Sequence, residues 1–486
     1  MAQMAQMARE RLSVAKESKV VKPDSIADKN GEEASWVEAE LGAVQLGDKR
    51  LEWRLLDTAA KLANQPTHSI NQACEDWADT KATYRLFDNK EVTPAKLLAP
   101  HYDRTRERLV GHECVLAVQD TTYLNYTAHG ETTGLGPIGT TKQQLQGMVL
   151  HTAMFFTLGG MPLGLGSHEL WVREQTPCQL TKAQKRKQPI AEKESFKWLQ
   201  AVSSTMLRVP AGTQVVHVGD SEADIYELFA HAATLGTDLL VRAAQDRNLA
   251  PPELEHLWAH TAARPEAGAL QVNVQGRNNE PDRVAIVTVR YGQVTLQPPQ
   301  HLRAMLSPVY MTATLVREEA PPPAVTALEW LLLTTVPVLT FNDAVERIRW
   351  YRQRWQIEIY HKILKSGCAV EKCQLATAAR LARFLALFAI IGWRLFWLTH
   401  IARQQPDAPC TVVLANHEWR ALYAHFRRSP QSPARVPTVA EAMLWIARLG
   451  GFLARRGDGH PGATVIWRGW QRLNDISDTW LIFNSG

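Results

Sequence analysis

Two short stretches, "VLAVQD" at 115–120 and "VVHVGD" at 215–220, constrain this chain more than any other feature. Each is an apolar, β-branched run bounded by polar sequence. Each stops on an aspartate, so each predicts a buried strand with a carboxylate at its carboxyl end. The second runs on into "SEADIYELFAHAATLG", a helical pattern expected to begin near Ala223. Strand followed by helix predicts an α/β sheet, and the carboxyl ends of strands in such a sheet gather side chains into one site. Taken alone, an aspartate at a strand end is usually a turn or cap residue.

The remaining sequence arranges itself around these strands. At 486 residues the chain is too long for one ordinary core, so several domains are expected. Residues 1–35 read as a polar, flexible tail in which Met1, Met4 and Met7 are alternative starts. Residues 36–100 read as a helical module with a basic edge: "LGDKRLEWRLLDTAAKLAN" puts Leu51, Leu55, Ala59 and Leu62 on one face, and "DWADTKATYRLFDN" predicts a second helix. Residues 101–245 hold the two aspartates, and "GMVLHTAMFFTLGGMPLGLGSHELWV" adds two strands. Residues 246–329 carry period-2 and β-branched runs between Gly, Asn and Pro, which predicts an antiparallel β insertion. Residues 330–405 return to the sheet with "EWLLLTTVPV", and 406–486 read as helical, most clearly in "MLWIARLGGFLARRG". The apolar run "FLALFAIIGW" (384–393) falls short of the roughly 20 residues a bilayer requires. It predicts a core helix and no membrane partner. Six scattered cysteines without a C-x-x-C pair argue against a zinc knuckle. With no signal peptide they point to a reducing cytoplasm. The net charge of +5 is compatible with a polyanionic partner without demanding one.

The segment "WYRQRWQIEIYHKILKSG" (350–367) spaces Tyr351, Arg354, Glu358 and Lys365 by 3, 4 and 7. On one helix they form one stripe, with Trp355, Ile359, Ile363 and Leu364 on a core side. Spacing alone supports either a solvated face with an i, i+4 ion pair or a face turned into a cleft. Asp120, Asp220 and Glu358 together supply hard oxygen ligands suited to Mg²⁺ or Mn²⁺. Two such ions about 3.5–4 Å apart can activate a water or a 3′-hydroxyl and stabilise the leaving oxygen of a phosphodiester. A guanidinium fork matches phosphate oxygens, an ammonium supplies a point charge, and a phenol donates a hydrogen bond.

With these residues the chain resembles the DDE cut-and-paste transposases of bacterial insertion sequences, in the group with the YREK signature. "YRQRWQIEIYHKILK" matches Y-(2)-R-(3)-E-(6)-K at every spacing, "VQDTTYLNY" resembles the strand of the first acid, and "VGDSEADIYEL" the segment of the second. "ARLGGF" (447–452) resembles a C-terminal dimerisation region, and the likeness covers about 36–475. The resemblance implies an α/β fold: a ribonuclease-H-like catalytic core with an antiparallel β insertion, flanked by helical N- and C-terminal domains. It implies an enzyme that binds the terminal repeats of its element, nicks the ends, forms and reopens a hairpin, and joins the ends to target DNA. Two Mg²⁺ ions per site, with Mn²⁺ able to substitute, would sit on Asp120, Asp220 and Glu358. The enzyme would act as a homodimer on double-stranded DNA in the bacterial cytoplasm, at the nucleoid. Tyr351, Arg354 and Lys365 would grip phosphates near the hairpin. Trp330 would stack on a flipped base, or else be a core residue. Arg242 would contact backbone phosphate, and Arg54 and Arg85 would recognise the ends. Asn64 departs from the pattern, which has lysine there, so end specificity does not carry over. Glu222 and Asp224 read as caps or orienting groups beside Asp220. The basic run Lys182, Lys185, Arg186 and Lys187 reads equally as a DNA contact or a solvated loop. Two further readings stand beside this one: a metal-dependent nuclease without strand transfer, and a DNA-binding inhibitor that never cuts.

Overall fold

In a computed structural model, the protein is described over residues 35–484, apart from 176–180, 182–183, 185–186, 253–254, 275–282, 324, 430 and 432. The predicted tail, save Ser35, and three members of the basic run (Lys182, Lys185 and Arg186) lie outside these residues.

The chain opens with helices α1 (Trp36–Leu41), α2 (Lys49–Asn64), α3 (Ile70–Ala73), α4 (Trp77–Asp88) and α5 (Pro94–Leu109). Each begins on a side-chain cap, Ser35, Asp48, Ser69, Asp76 and Thr93, whose oxygen takes an orphan backbone N–H of the first turn. Leu55, Ala59 and Leu62 of α2 are buried as their spacing predicts.

A ten-stranded mixed sheet follows. Its first members are β1 (Cys114–Asn125), β2 (Gly136–Ile138), β3 (Leu145–Phe156) and β4 (Pro162–Trp171). Helix α6 (Phe196–Met206) leads to β5 (Gln214–Gly219), α7 (Tyr226–Leu235) and β6 (Asp238–Arg242). Then come α8 (Leu257–Ala262), β7 (Gly268–Val274), β8 (Arg283–Leu296), β9 (Val309–Arg317) and β10 (Glu329–Thr334). β1 pairs antiparallel with β3 and parallel with β5, β5 pairs parallel with β6, and β10 joins β6 to β9. The β insertion therefore extends the same sheet through β9, β8 and β7 rather than standing apart.

Helices α9 (Phe341–Arg352), α10 (Trp355–Lys362) and α11 (Ala378–Gln404) close the core, and α12 (Asn416–Arg427), α13 (Val439–Leu449) and α14 (Ala463–Asn484) end the chain. By length and composition α11 could cross a membrane, but most of its apolar stretch is buried inside the fold. Arg383 of α11 donates to the carbonyls of Val92 and Phe87, and Phe87 meets Phe384 edge-on at 5.7 Å. These contacts seat the N-terminal helices on the core.

Several expectations are corrected. β1 does not stop at Asp120 but runs on to Asn125, because β3 keeps pairing with it as far as Gly147 after its pairing with β5 ends at Val118–Val218. The helix after Asp220 begins at Tyr226; a single 3₁₀ turn, Ser221–Ala223, comes first, capped by the Asp220 carboxylate. Trp350–Gly367 is not one helix. α9 ends at Arg352, α10 begins at Trp355, and Ile363–Gly367 is a π turn. Trp355 and Ile359 are each 42% exposed, so the buried side of α10 is Ile357, Tyr360 and His361 instead. Helix α13 ends at Leu449, short of the expected continuation through Gly450 and Gly451.

Candidate active site

The parallel ladder between β1 and β5 ends at the pair Val118–Val218. Asp120 and Asp220 each lie two residues beyond it, so strand alternation puts them on the face of that pair, at the open end of neighbouring strands. Asp220 is the residue at which β5 turns, and its Oδ1 accepts the Glu222 N–H at 2.8 Å. α10 packs against β1 and carries Glu358 to the same end.

The three acids share one electrostatic environment. Burial pushes the Asp120 carboxyl up to about 7; the negative charges of Asp220 and Glu358 push the same way, against the Thr121 backbone N–H and Arg354. Arg354 is itself buried. Its Nη2 donates to Glu358 Oε1 at 2.5 Å, and its guanidinium lies 4.6 Å from the Trp355 ring. Among the described residues, no three Asp, Glu, His or Cys side chains are placed close enough to hold one ion. Glu358 is turned to Arg354 instead.

Across the break between α9 and α10, Tyr351, Arg354 and Glu358 stay together, while Lys365 lies beside His361 and Glu371. Tyr351, on α9, is 4% exposed and meets the Trp330 ring at 5.9 Å and 61°. Burial raises its phenol pKa, and it feels the charges of Arg354, Arg242 and Asp220. Trp330 is the second residue of β10 and half-buried. Arg242 ends β6 exposed, in register with Leu332 of β10. Lys365 sits half-buried in the π turn, where burial lowers its pKa and Glu371 opposes the shift. Glu371 in turn accepts the Asn125 N–H at 2.8 Å, and the Tyr126 hydroxyl donates to the Val370 carbonyl at 3.1 Å. The far end of β1 is thereby tied to the segment that follows Lys365.

Other expected residues take plainer places. Asp224 is a structural acceptor: its carboxylate takes the Ala244 and Gln245 N–H groups, each at 2.7 Å, and the buried Arg247. Glu222 is exposed, with the Lys197 ammonium 3.5 Å away. Arg54 pairs with Asp79 at 3.5 Å, whereas Arg85 is exposed with no ion pair among the described residues. Asn64 gives its carbonyl to Asn474 of α14 at 2.7 Å.

Two residues at the site have no clear signal in the sequence. His361, three positions after Glu358, has its Nδ1 3.9 Å from Asp120 Oδ2. Burial holds it neutral, with a pKa of about 3, and its Nε2 is buried without a hydrogen-bond partner among the described residues. Lys197, from α6, bridges Glu222 and Glu194, and Glu194 is bound by both Nε and Nη2 of Arg173 at 2.7 Å.

Residues 33–92 match a family model described as transposase DNA-binding, and residues 390–479 match one described as the transposase Tn5 dimerisation domain. These matches support a Tn5-like transposase. The first contains α1 to α4, with Arg54 and Arg85; the second runs from within α11 into α14 and contains Ala447–Phe452. Neither reaches Asp120, Asp220 or Glu358, so the chemistry of the middle region rests on its geometry.

Proposed function

We propose that this Tn5-like transposase binds the terminal repeats of its own element, cleaves them by nicking and hairpin formation, and joins them to target DNA as a DNA-bound homodimer. The observation that carries this reading is the shared field of Asp120, Asp220 and Glu358, brought from two neighbouring strands and one helix and coupled to Arg354. A mixed sheet that carries Asp120 within β1 and Asp220 just past the end of the neighbouring parallel strand β5 supports a ribonuclease-H-like core.

The donor set fits a hard divalent cation. Three carboxylates share one electrostatic environment at this end of the sheet, with Glu358 turned to Arg354, and burial already disfavours the charged form of Asp120, which a bound cation would restore. Asp120, Asp220 and Glu358 would hold two Mg²⁺ ions, with Mn²⁺ able to substitute. When bound, such ions activate the attacking water or 3′-hydroxyl and stabilise the leaving oxygen.

The chain's own side chains bind and orient the DNA. Arg354, buried against Glu358 and Trp355, would turn its guanidinium fork to phosphate oxygens on release from Glu358. Lys365 brings a half-buried ammonium, which acts more strongly on a phosphate than a fully hydrated one would. Tyr351 fixes one edge of Trp330, leaving the exposed part of the indole to stack on an unpaired base. Arg242, exposed at the end of β6, takes backbone phosphate beside them.

The test is incubation with Mg²⁺ or Mn²⁺ and a labelled duplex ending in the terminal repeat, beside Glu358→Gln. Hairpinned ends from the unaltered protein and none from the variant are expected. Cleavage of every duplex alike without hairpins would replace this reading with a plain nuclease, and specific binding without cutting would replace it with an inhibitor.

A further inference from the structure

We infer that His361 is a positioning residue for the candidate metal site, its Nδ1–H orienting the Asp120 carboxylate toward the divalent cations. This role deepens the two-ion reading above, on which it rests, and adds to it a side chain that touches neither metal nor DNA.

His361 follows Glu358 by three positions on α10, so the two side chains leave neighbouring points of the helix that packs against β1. His361 is buried, and its Nδ1 lies 3.9 Å from Asp120 Oδ2. Among the described residues no other basic side chain comes as close to that carboxylate. In the sheet below, Asp120 stands opposite Thr152 of β3, and Thr152 opposite His168 of β4. Paired residues of antiparallel strands share a face, so the three form a polar row across the sheet.

A purely structural role accounts poorly for this imidazole. His101 shows what a structural histidine looks like in this fold: its Nδ1 bonds Glu40 and its Nε2 takes the Leu165 N–H. His361 has no such pair of bonds. Its Nε2 is buried without a hydrogen-bond partner among the described residues, as are the Thr152 hydroxyl and both nitrogens of His168. A buried polar atom left unpaired costs stability, so an apolar side chain of similar size would serve the fold at least as well at position 361. The imidazole is explained by the carboxylate it faces.

The three acids differ in what orients them. Asp220 accepts the Glu222 N–H at 2.8 Å, and Glu358 accepts Arg354. Asp120 has the Thr121 backbone N–H and His361. Carboxylates that ligate a metal are themselves hydrogen-bonded, which fixes the direction of their lone pairs. The ring nitrogen that faces a carboxylate carries the proton, so Nδ1 is the donor and Nε2 keeps the lone pair. Hydrogen bonds of this kind are commonly long before the ligand arrives and tighten with it. A small rotation of the Asp120 carboxylate closes the 3.9 Å gap.

Mn²⁺ binding to the full chain without DNA should be measured by isothermal titration calorimetry for the unaltered protein, His361→Leu, His361→Asn and Glu358→Gln, beside melting temperature, duplex binding and hairpin formation. His361→Leu is expected to weaken Mn²⁺ binding and to slow hairpin formation, each about 10- to 100-fold, with duplex affinity unchanged and the melting temperature unchanged or raised. The amide N–H of asparagine reaches the place of Nδ1–H, so His361→Asn is expected to recover most of the loss. Unaltered Mn²⁺ affinity in His361→Leu would overturn the inference alone. So would a loss that comes with a lowered melting temperature and is not recovered by His361→Asn. Mn²⁺ binding by the unaltered protein that Glu358→Gln leaves intact would overturn the two-ion reading and the inference with it.

Discussion

Glu40 is the residue whose replacement most directly tests how the DNA-binding domain is fixed to the core. It lies on α1 and is nearly buried, with 8% of its side chain exposed. Its carboxylate accepts both terminal nitrogens of Arg108, each at 2.9 Å, and a hydrogen bond from His101 Nδ1. His101 accepts the Leu165 N–H at 3.0 Å, and Arg108 donates to the Leu163 carbonyl at 2.6 Å while lying 4.3 Å from the Trp393 ring. One carboxylate therefore links α1 to α5, β4 and α11. Burial alone would raise its pKa; Arg108 and His101 overcome this and hold it well below the carboxylate range. Its stabilisation is therefore fully present above the unfolded value of 4.5 and is lost only as pH falls through the lower folded value. Glu40→Gln keeps the shape and removes the charge. Breaking a buried pair from one side costs about 3–5 kcal/mol, and because Arg108 is 27% exposed the lower end applies, about 3 kcal/mol. At about 2–4 °C per kcal/mol for a domain of 150–250 residues, the melting temperature should fall by about 6–12 °C at pH 7. Differential scanning calorimetry with limited proteolysis would measure this, with exposed Glu38→Gln as the control. A Glu40→Gln protein that melts within 1–2 °C of the parent and resists protease equally would refute the argument.

Two further outcomes follow from the core. His168, His217 and His400 are held neutral by burial, with pKa values of about 4, 3 and 4 against 6.5 when unfolded, so stability is lost as pH falls below 6.5. Between pH 7 and 5 this costs about 2 kcal/mol for each of these and for His361, and Asp120, whose raised pKa works in the opposite direction, returns about 2, leaving a net loss of about 6 kcal/mol from these five groups to be read from melting curves. Gly469→Ala should collapse the packing of α13 on α14, since an added Cβ would lie 1.7 Å from the Ile446 carbonyl oxygen. Overpacking against backbone costs about 1–3 kcal/mol or more, and size-exclusion chromatography with end duplex should show loss of the dimer.

The residues that bear on chemistry were more legible than the geometry that presents them. Asp120 and Asp220 stood out because apolar, β-branched runs led into them, yet the same texture hid the extension of β1. Thr121–Asn125 is polar enough to read as a turn, and the strand continues there because β3, some 30 residues away in sequence, still pairs with it. The break at Gln353–Arg354 carries no Gly or Pro to announce it. The sequence therefore shows an uninterrupted 3.6-residue period through Trp350–Gly367, which puts Trp355 and Ile359 on the core side that Ile357 and Tyr360 occupy. Lys365 shows what the break does to the spacing of the motif. Seven residues along an ideal helix return to within about 20° of the start, but a π turn shifts the phase. The segment after Lys365 is fixed by a tertiary constraint, the hydrogen bond that the Asn125 N–H at the end of β1 donates to Glu371. His361 was hidden for the opposite reason. A lone histidine in a helix is ordinarily structural, and this one is buried and neutral; what sets it apart is its distance of 3.9 Å from Asp120, which depends on how α10 lies across β1. Spacing along the sequence thus identified groups of one chemistry, whereas their mutual placement depended on contacts between β1, α10 and the β4–α5 layer that no single stretch encodes.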